Sequence, residues 1–450
     1  MRVCGVYFVF VILLSACTNG VSHLDIALQQ AKHNKAELEK VLKHFKHDSL
    51  KYRAACFLIE NMPGKYSILP YDSLDRYKNF LKIIPQNDPI SWDVRYSKIW
   101  HGFDSISKRQ LAGFSKIEDI KVITGDYLIK NIEYAFKIWE NGKIKDYCSF
   151  DEFCHYILPY RIDHEPLSNW REEGFQKFGH LLDSLMSPRE LALRIIKLGG
   201  MRYNIGMTKY PYKQSYAEML QTRWGTCDDM AAFLALSLRA IGIPASIDYV
   251  PAWANRSSSH CWNVVKDATG DFIEVGYGPE GKNEVVYKIS KIYRKKYDIS
   301  LCDVTSEYAM PLSDLTFRVP SQKDKQLISL CTFNNHDWVP VALSKVMNGS
   351  VLFESVGRGI LWGDNQIRTY LNEGKGIVFL AFISQNGRLN NKPIGFPIIL
   401  LEDGTIKELC ASTEKESIIL YRKYPYYGSN NAIIHDLSLI HISEPTRRRG

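Results

Sequence analysis

Residues 223–245 read RWGTCDDMAAFLALSLRAIGIPA, and one cysteine in this run organises the reading of the chain. Cys227 follows a Gly-Thr turn and opens a long apolar segment. Thr226 suits an N-cap, and Asp228 and Asp229 fall in the first turn, where acids favour the helix dipole. Met230, Phe233, Leu234, Leu236 and Leu238 recur too densely for a surface helix, so the spacing predicts a buried one. Gly242 ends it and Pro244 bars its return. The unpaired N–H groups at the start of such a helix favour thiolate over thiol. A lone cysteine is more often an inert core residue, so the weight falls on what accompanies Cys227.

Downstream, IPASIDYVPAW (243–253) alternates and carries β-branched and aromatic residues, which predicts a strand. A polar loop, ANRSSS, follows. HCWNVVKDATGDFIEVGY (260–277) then reads as strand, Asp-Ala-Thr-Gly turn and strand, a hairpin. Helix followed by antiparallel strands is an α+β core. His260 opens the first hairpin strand and is a candidate base for Cys227. Such a histidine needs an orienting acid on its other nitrogen, and an acid on the returning strand GDFIEVGY would supply it. A zinc site from Cys227, His260 and Cys261 is conceivable, but the spacing supports it poorly, and there is no CxxC or HExxH. No cofactor is expected.

The motifs RWGTC, RAIGIPA and HCWNVV together resemble the transglutaminase-like superfamily, cysteine enzymes with a papain-like fold, over roughly residues 187–285. The resemblance implies Cys227 as nucleophile and His260 as base. The family's third position, usually Asp, corresponds here to Gly276. Glu274, two residues earlier and on the same strand face, is the substitute candidate, with Asp271 second. Tyr277 and the turn beyond it are candidates for the site's rim. Trp224 and Trp262 either wall a cleft or pack the core, and for Trp262 the core reading is preferred. Two functions stay open. One is acyl transfer through a thioester to water or to an amine, with hydrolysis of peptides or glycopeptides the commoner expectation. The other is a degenerate scaffold that binds carbohydrate or protein.

The chain has 450 residues, 45% hydrophobic and 24% charged, with a formal charge of +8. That length allows two to four domains, and so mild a basicity does not argue for nucleic acid. The start, MRVCGVYFVFVILLSACTNG, reads as a secretory signal (1–16). Its Leu14-Ser15-Ala16-Cys17 resembles a bacterial lipobox, which implies lipid on Cys17, a tether over 17–22 and a membrane-anchored, cell-envelope location. Residues 23–180 carry mostly helical patterns, including LDIALQQAKHNKAELEKVLKHF, SWDVRYSKIW and ITGDYLIKNIEYAFKIWEN. Ser168 followed by Glu172 is a loose helix-start signal. The run ILPYRIDHEPLSNWR (157–171) either lines a substrate groove or forms an aromatic-packed connector, the second being preferred. The core domain is placed at 181–300. From 301 to 436 short strands with Asn-Gly and Asp-Gly turns predict an all-β, sandwich-like domain. Residues 437–450 include LSLIHISEPTR, which resembles a translated sequencing adapter and is set aside. The remaining cysteines are irregularly spaced and suggest no disulfide framework; Cys148 and Cys154 either pair or stay as free buried thiols. The architecture as a whole resembles transglutaminase-domain lipoproteins of gut Bacteroidetes.

Overall fold

A computed structural model describes residues 22–68, 116–141, 143–203, 213–254, 258–283, 287–298, 300–319, 324–334, 337–360, 376–385, 388–410, 417–423 and 435–441. The signal segment, Cys17, the SWDVRYSKIW run and residues 442–450 lie outside the described residues.

The amino-terminal part is helical, as its periodicity predicts. The run 24–45 is split into α1 (His23–Gln30) and α2 (Lys35–His44). Between them Lys32 turns to φ 54°, and the buried Asn34 amide donates to the carbonyls of Ile120 and Ile123 at 3.2 and 2.9 Å. A side-chain bond to a distant segment thus overrides a continuous helical pattern. Helix α3 (Ser49–Glu60) is capped by Asp48. Strands β1 (Tyr66–Ile68) and β2 (Lys116–Glu118) pair antiparallel. Helices α4 (Gly125–Asn141) and α5 (Phe150–Tyr156) complete this layer, the latter with a Ser149–Glu152 capping box. Leu38, Ala54, Leu58, Ile132, Phe136 and Phe153 form its core. Cys148 and Cys154 are buried free thiols.

The 157–171 stretch is a packed connector. Arg161 forms a buried ion pair with Asp119 (Nε–Oδ2 2.6 Å), and the Tyr160 hydroxyl donates to the same carboxylate at 2.9 Å. Trp170 Nε1–H donates to the Tyr160 carbonyl, and Arg171 donates to the carbonyls of Ile157 and Arg239. Helix α6 (Trp170–Phe178) starts from Asn169, one residue after the expected Ser168, whose carbonyl instead accepts from the Tyr127 hydroxyl. Trp170 and Phe178 are buried with the second core.

That second core surrounds one helix. Helix α7 (Pro188–Gly199) has a Ser187–Glu190 capping box and ends at Gly200 in the left-handed region. Next come β3 (Arg202–Tyr203), α8 (Tyr216–Thr222), β4 (Trp224–Gly225) and α9 (Cys227–Ala240). Strands β3 and β4 are parallel. In α9 every residue from Asp229 to Ala240 is buried. The Tyr216 hydroxyl and Ser237 Oγ are 2.8 Å apart, so a polar residue inside an apolar helix is satisfied. Gly242, at φ 86°, closes the helix; its N–H donates to the Arg239 carbonyl and that of Ile243 to Leu238.

Helix α9 packs on an antiparallel sheet. Strands β5 (Ala245–Val250), β6 (His260–Lys266) and β7 (Phe272–Val275) are followed by β8 (Lys288–Ile289), β9 (Tyr293–Arg294) and β10 (Cys302–Asp303). The sheet order is β10-β9-β5-β6-β7. Cys261 and Val265 of β6 are buried with α9, and the Asn263 amide donates to the Ala231 carbonyl at 2.8 Å. Trp262 and Val264 pack on the other face with Val250, Trp253 and Ile289. This split follows from strand alternation.

The carboxy-terminal region is strand-rich. Strands β11 (Leu312–Arg318), β12 (Leu327–Asn334), β13 (Asp337–Lys345), β14 (Ser350–Gly357), β15 (Gly359–Ile360), β16 (Gly376–Gln385), β17 (Arg388–Leu401) and β18 (Ile406–Glu408) form its sheets. One sheet runs β13-β12-β16-β17-β18, a second pairs β11 with β14, and β15 pairs back to β8. Along β14, Val351 and Phe353 are buried while Leu352 and Glu354 are exposed, the alternation of a strand with one face on a core. Leu315, Leu330, Val351, Phe353, Ile377 and Phe379 meet in that core. Strands β19 (Ser417–Lys423) and β20 (His435–His441) form a separate antiparallel pair, so part of the segment set aside from fold reasoning is paired as a strand.

Candidate active site

Cys227 is the first residue of α9. Thr226 is its N-cap: the Thr226 hydroxyl accepts from the Asp229 N–H, and the Asp229 carboxylate accepts from the Thr226 N–H at 2.9 Å. The first intrahelical bond runs from Met230 N–H to the Thr226 carbonyl. The N–H groups of Cys227 and Asp228 therefore have no acceptor within the helix and project from its positive end.

The strand alternation that sets Cys261 and His260 on opposite faces of β6 brings both to Cys227, because α9 begins at the end of that strand. The Cys227 thiol interacts with both side chains. The hydrogen bond from Cys261 is the largest influence and lowers the Cys227 pKa. Burial pushes it up, the His260 imidazole lowers it by hydrogen bond and charge, and Asp228 raises it. The balance holds it down to about 6. Cys261 is pushed well above the ordinary thiol range by the same partnership and by burial, so it remains the protonated donor of the pair. Its Sγ also lies 3.4 Å from Asp228 Oδ1. One S–H cannot serve both acceptors at once, so Asp228 and the Cys227 thiolate compete for it. Lys213 offsets Asp228, with Nζ 3.6 Å from Oδ2. It also lies 3.8 Å from Asp163 Oδ2, which Lys295 approaches at 3.1 Å.

His260 is bracketed by aromatic rings. Its ring stacks on Trp253 with centroids 5.7 Å apart and 23° between planes, and lies 5.9 Å from Trp262. The loop before it is clamped by the strand-rich region. Asn334 of β12 donates to the carbonyls of Trp253 and Ser258 at 2.9 and 3.1 Å, and its Oδ1 accepts from the Ser258 N–H at 3.2 Å. Ser258 sits at φ 99°, a strained value for a non-glycine residue, and both its backbone groups are met by this one amide. Sequence reading missed Asn334, Trp253, Asp228 and Lys213 as parts of the site. Only tertiary packing brings Asn334 across some seventy residues.

Glu274 does not take the position expected of it. It pairs with Val264, four residues along β6 from His260. At about 3.3 Å per residue that is roughly 13 Å, beyond the combined reach of the two side chains. Its Oε1 accepts from Asn283 Nδ2 at 2.7 Å. Same-face parity was a correct inference; distance along the strand was the missing term. Asp271 is further away, in the hairpin turn, where it accepts from Thr269 Oγ1 at 3.0 Å. Gly276, just past the last pair Val275↔Asn263, is the residue placed to face Trp262 and lie diagonal to His260. A Cβ there would meet Asn283 Oδ1 at 2.5 Å and the Lys282 carbonyl at 2.7 Å, so the main chain itself occupies the space of a side chain. Glu274→Gln is accordingly expected to leave the rate and pH midpoint of Cys227 alkylation within about twofold of the parent, the Asn283 contact being preserved in form. A midpoint raised by a unit or more in that variant would restore Glu274 to the site.

Tyr277 anchors the sheet to the helix: its hydroxyl donates to the Met230 carbonyl at 2.7 Å. Trp262 is 3% exposed and its indole N–H donates to the Tyr308 hydroxyl at 2.8 Å, the core role preferred for it. Trp224 is also buried. Among the described residues no three His, Cys, Asp or Glu side chains are grouped to hold a metal ion.

Helix α9 and the hairpin that follows lie within the span that the sequence comparison matches. Residues 180–277 match the model of the Transglutaminase-like superfamily, so the chain carries a transglutaminase-like domain over that span. Among solved structures it is similar to a proposed cysteine protease from Cytophaga hutchinsonii, at 14% identity and a TM-score of 0.21, over 43% of this chain and 51% of that one. The chain thus spans about half the length of that protein. No curated protein matches it.

Proposed function

We propose that the chain is a cell-envelope lipoprotein that cleaves peptide or amide bonds through a thioester on Cys227. The observation that carries this is the Cys227 thiol at the start of a buried helix, held at a pKa of about 6 beside His260. The thiolate sulfur adds to the substrate carbonyl carbon. The developing oxyanion is met by the N–H groups at the α9 N-terminus. The His260 imidazolium gives its proton to the leaving amine as the C–N bond breaks, which leaves the acyl group on sulfur. His260 then takes a proton from water as the hydroxyl adds to the thioester. Collapse releases the carboxylic acid and returns the thiolate. An amine in place of water would give a crosslink. The aromatic wall of Trp253 and Trp262 orients the imidazole in place of a carboxylate from Glu274. Peptides, proteins or glycopeptides are the substrate class, and the lipobox-like Cys17 supplies the membrane anchor.

The blocked Gly276 position favours one alternative, a transglutaminase-like scaffold that binds without catalysis. Incubation with an acyl-peptide p-nitroanilide, followed by intact-mass spectrometry, separates the two. The expected result is a mass increase of one acyl group on Cys227, lost in Cys227→Ser on a cysteine thioester timescale, with release of nitroaniline and free acid. Absence of both adduct and nitroaniline across a panel of acyl peptides would leave the scaffold reading. Metabolic labelling with palmitate, lost in Cys17→Ser, checks the anchor.

A further inference from the structure

Away from the thiol, on the other side of Asp163, lies a cavity of about 210 Å³. Its wall includes Lys65, Arg161, Asp163, Arg239, Lys295 and Lys296. That is five cations against one carboxylate. Two of the cations are already matched: Arg161 pairs with Asp119, and Lys295 with Asp163. The others are not in contact with a carboxylate among the described residues. Lys65 donates to the Tyr297 carbonyl at 2.6 Å and lies 4.1 Å over the Tyr297 ring. The Arg239 guanidinium is 2% exposed and donates twice to the Ala245 carbonyl, at 3.0 and 2.8 Å. His164, also in the wall, has a buried Nδ1 with no hydrogen-bond partner, and its ring is stacked on Tyr66 at 4.0 Å.

Burying cations with no carboxylate in direct contact is costly, because a carbonyl dipole returns only part of the lost hydration. The cost is visible in the groups themselves. Burial pulls Lys65 down to about 8, with Arg161 adding to it and the more distant Asp119, Asp298 and Glu165 opposing it; burial pulls Arg239 down to about 10, with Glu165 opposing it. An anion in the cavity would reverse both shifts by giving each cation a charged acceptor. The cavity is large enough for a carboxylate or a phosphate, and its donors converge from β1's approach, the connector, α9 and the segment after β9.

We infer that this cavity is a binding site for an oxyanion, the carboxylate or phosphate group of a small ligand or of a peptide end. The cavity is joined to the thiol site only through charge, Asp163 and Lys295 lying beside the Lys213 that meets Asp228; Cys227 and His260 are not in its wall. The test is calorimetric titration of the full chain with sodium phosphate and, separately, sodium acetate, each against sodium chloride at matched ionic strength. Saturable one-site binding of phosphate or acetate is expected, weakened at least tenfold in Lys296→Met and in Lys65→Met, with folding of each checked by circular dichroism. Preference for phosphate assigns a phosphoryl ligand, and preference for acetate a carboxylate; either supports the site. Cys227→Ala should bind as the parent does. The inference is overturned by a folded parent with no saturable binding of either anion, by binding unchanged in both methionine variants, or by binding lost in Cys227→Ala, which would place the anion at the thiol.

Discussion

Alkylation of Cys227 by iodoacetamide is expected to rise with pH through a midpoint near 6 and then level off. The sign follows from the reacting species: only thiolate attacks, so the rate tracks ionisation and grows above the pKa. An ordinary thiol would place the midpoint near about 8.5. At pH 7 the lowered pKa raises the thiolate fraction about thirtyfold, but a less basic thiolate is also a weaker nucleophile, which gives back about tenfold. The absolute rate at neutral pH is therefore a poor readout, and the midpoint is the diagnostic one. His260→Ala should move it upward, since the imidazole lowers the pKa by hydrogen bond and charge; Cys261→Ala should do the same by removing the largest lowering influence. Cys227→Ala should abolish the labelled peptide and cut any amide turnover by about 10⁴-fold or more. It should leave the fold intact, because Thr226 and Asp229 still cap α9. A parent midpoint near 8.5, mapped by peptide mass to Cys227, would defeat the nucleophile assignment.

The largest loss of stability is expected from the Asp248–Arg294 pair. Asp248 is fully buried, and Arg294 Nε and Nη2 reach its two oxygens at 2.9 Å each. The Tyr308 hydroxyl donates to Asp248 Oδ2 at 2.7 Å and accepts from the Trp262 indole at 2.8 Å. Strands β5, β6 and β9 are thereby tied together two residues from His260. Asp248→Ala leaves a buried guanidinium with Glu307 as its remaining carboxylate partner, at 2.8 Å and half-exposed. Removing one member of such a pair costs about 3–5 kcal/mol, because the other charge stays buried. Urea denaturation followed by tryptophan fluorescence should show that loss for Asp248→Ala and for Arg294→Met alike. The double change Asp248→Leu with Arg294→Met should recover most of it, since neither charge remains to be buried. A single change costing under about 1 kcal/mol would mean that the pair is hydrated in solution.

Local rules made much of the core legible. The Thr226 cap, the buried helix, the Gly242 stop and the strand–turn–strand after His260 each depend on neighbours in sequence, and each formed where those rules put it. The same rules misplaced what depended on distant partners. The run 24–45 carried one helical period, yet Asn34 found two carbonyls beyond residue 119 and split it. Ser168 resembled a helix start, yet Asn169 took that place. Glu274 had the right parity for His260 but the wrong distance, which only the hairpin register fixes.

The sequence by itself determined that Cys227 would stand at the start of a buried helix with a histidine-led hairpin behind it, because caps, periods and turns are short-range interactions. Only the tertiary structure decided what the thiol meets there. Cys261 and Asp228 act on it, Lys213 lies against Asp228, and Asn334 holds the loop before His260 from a strand some seventy residues away. Thiol ionisation is set by charges and donors within a few ångströms, and the order of residues along a chain does not specify which of them will be that near.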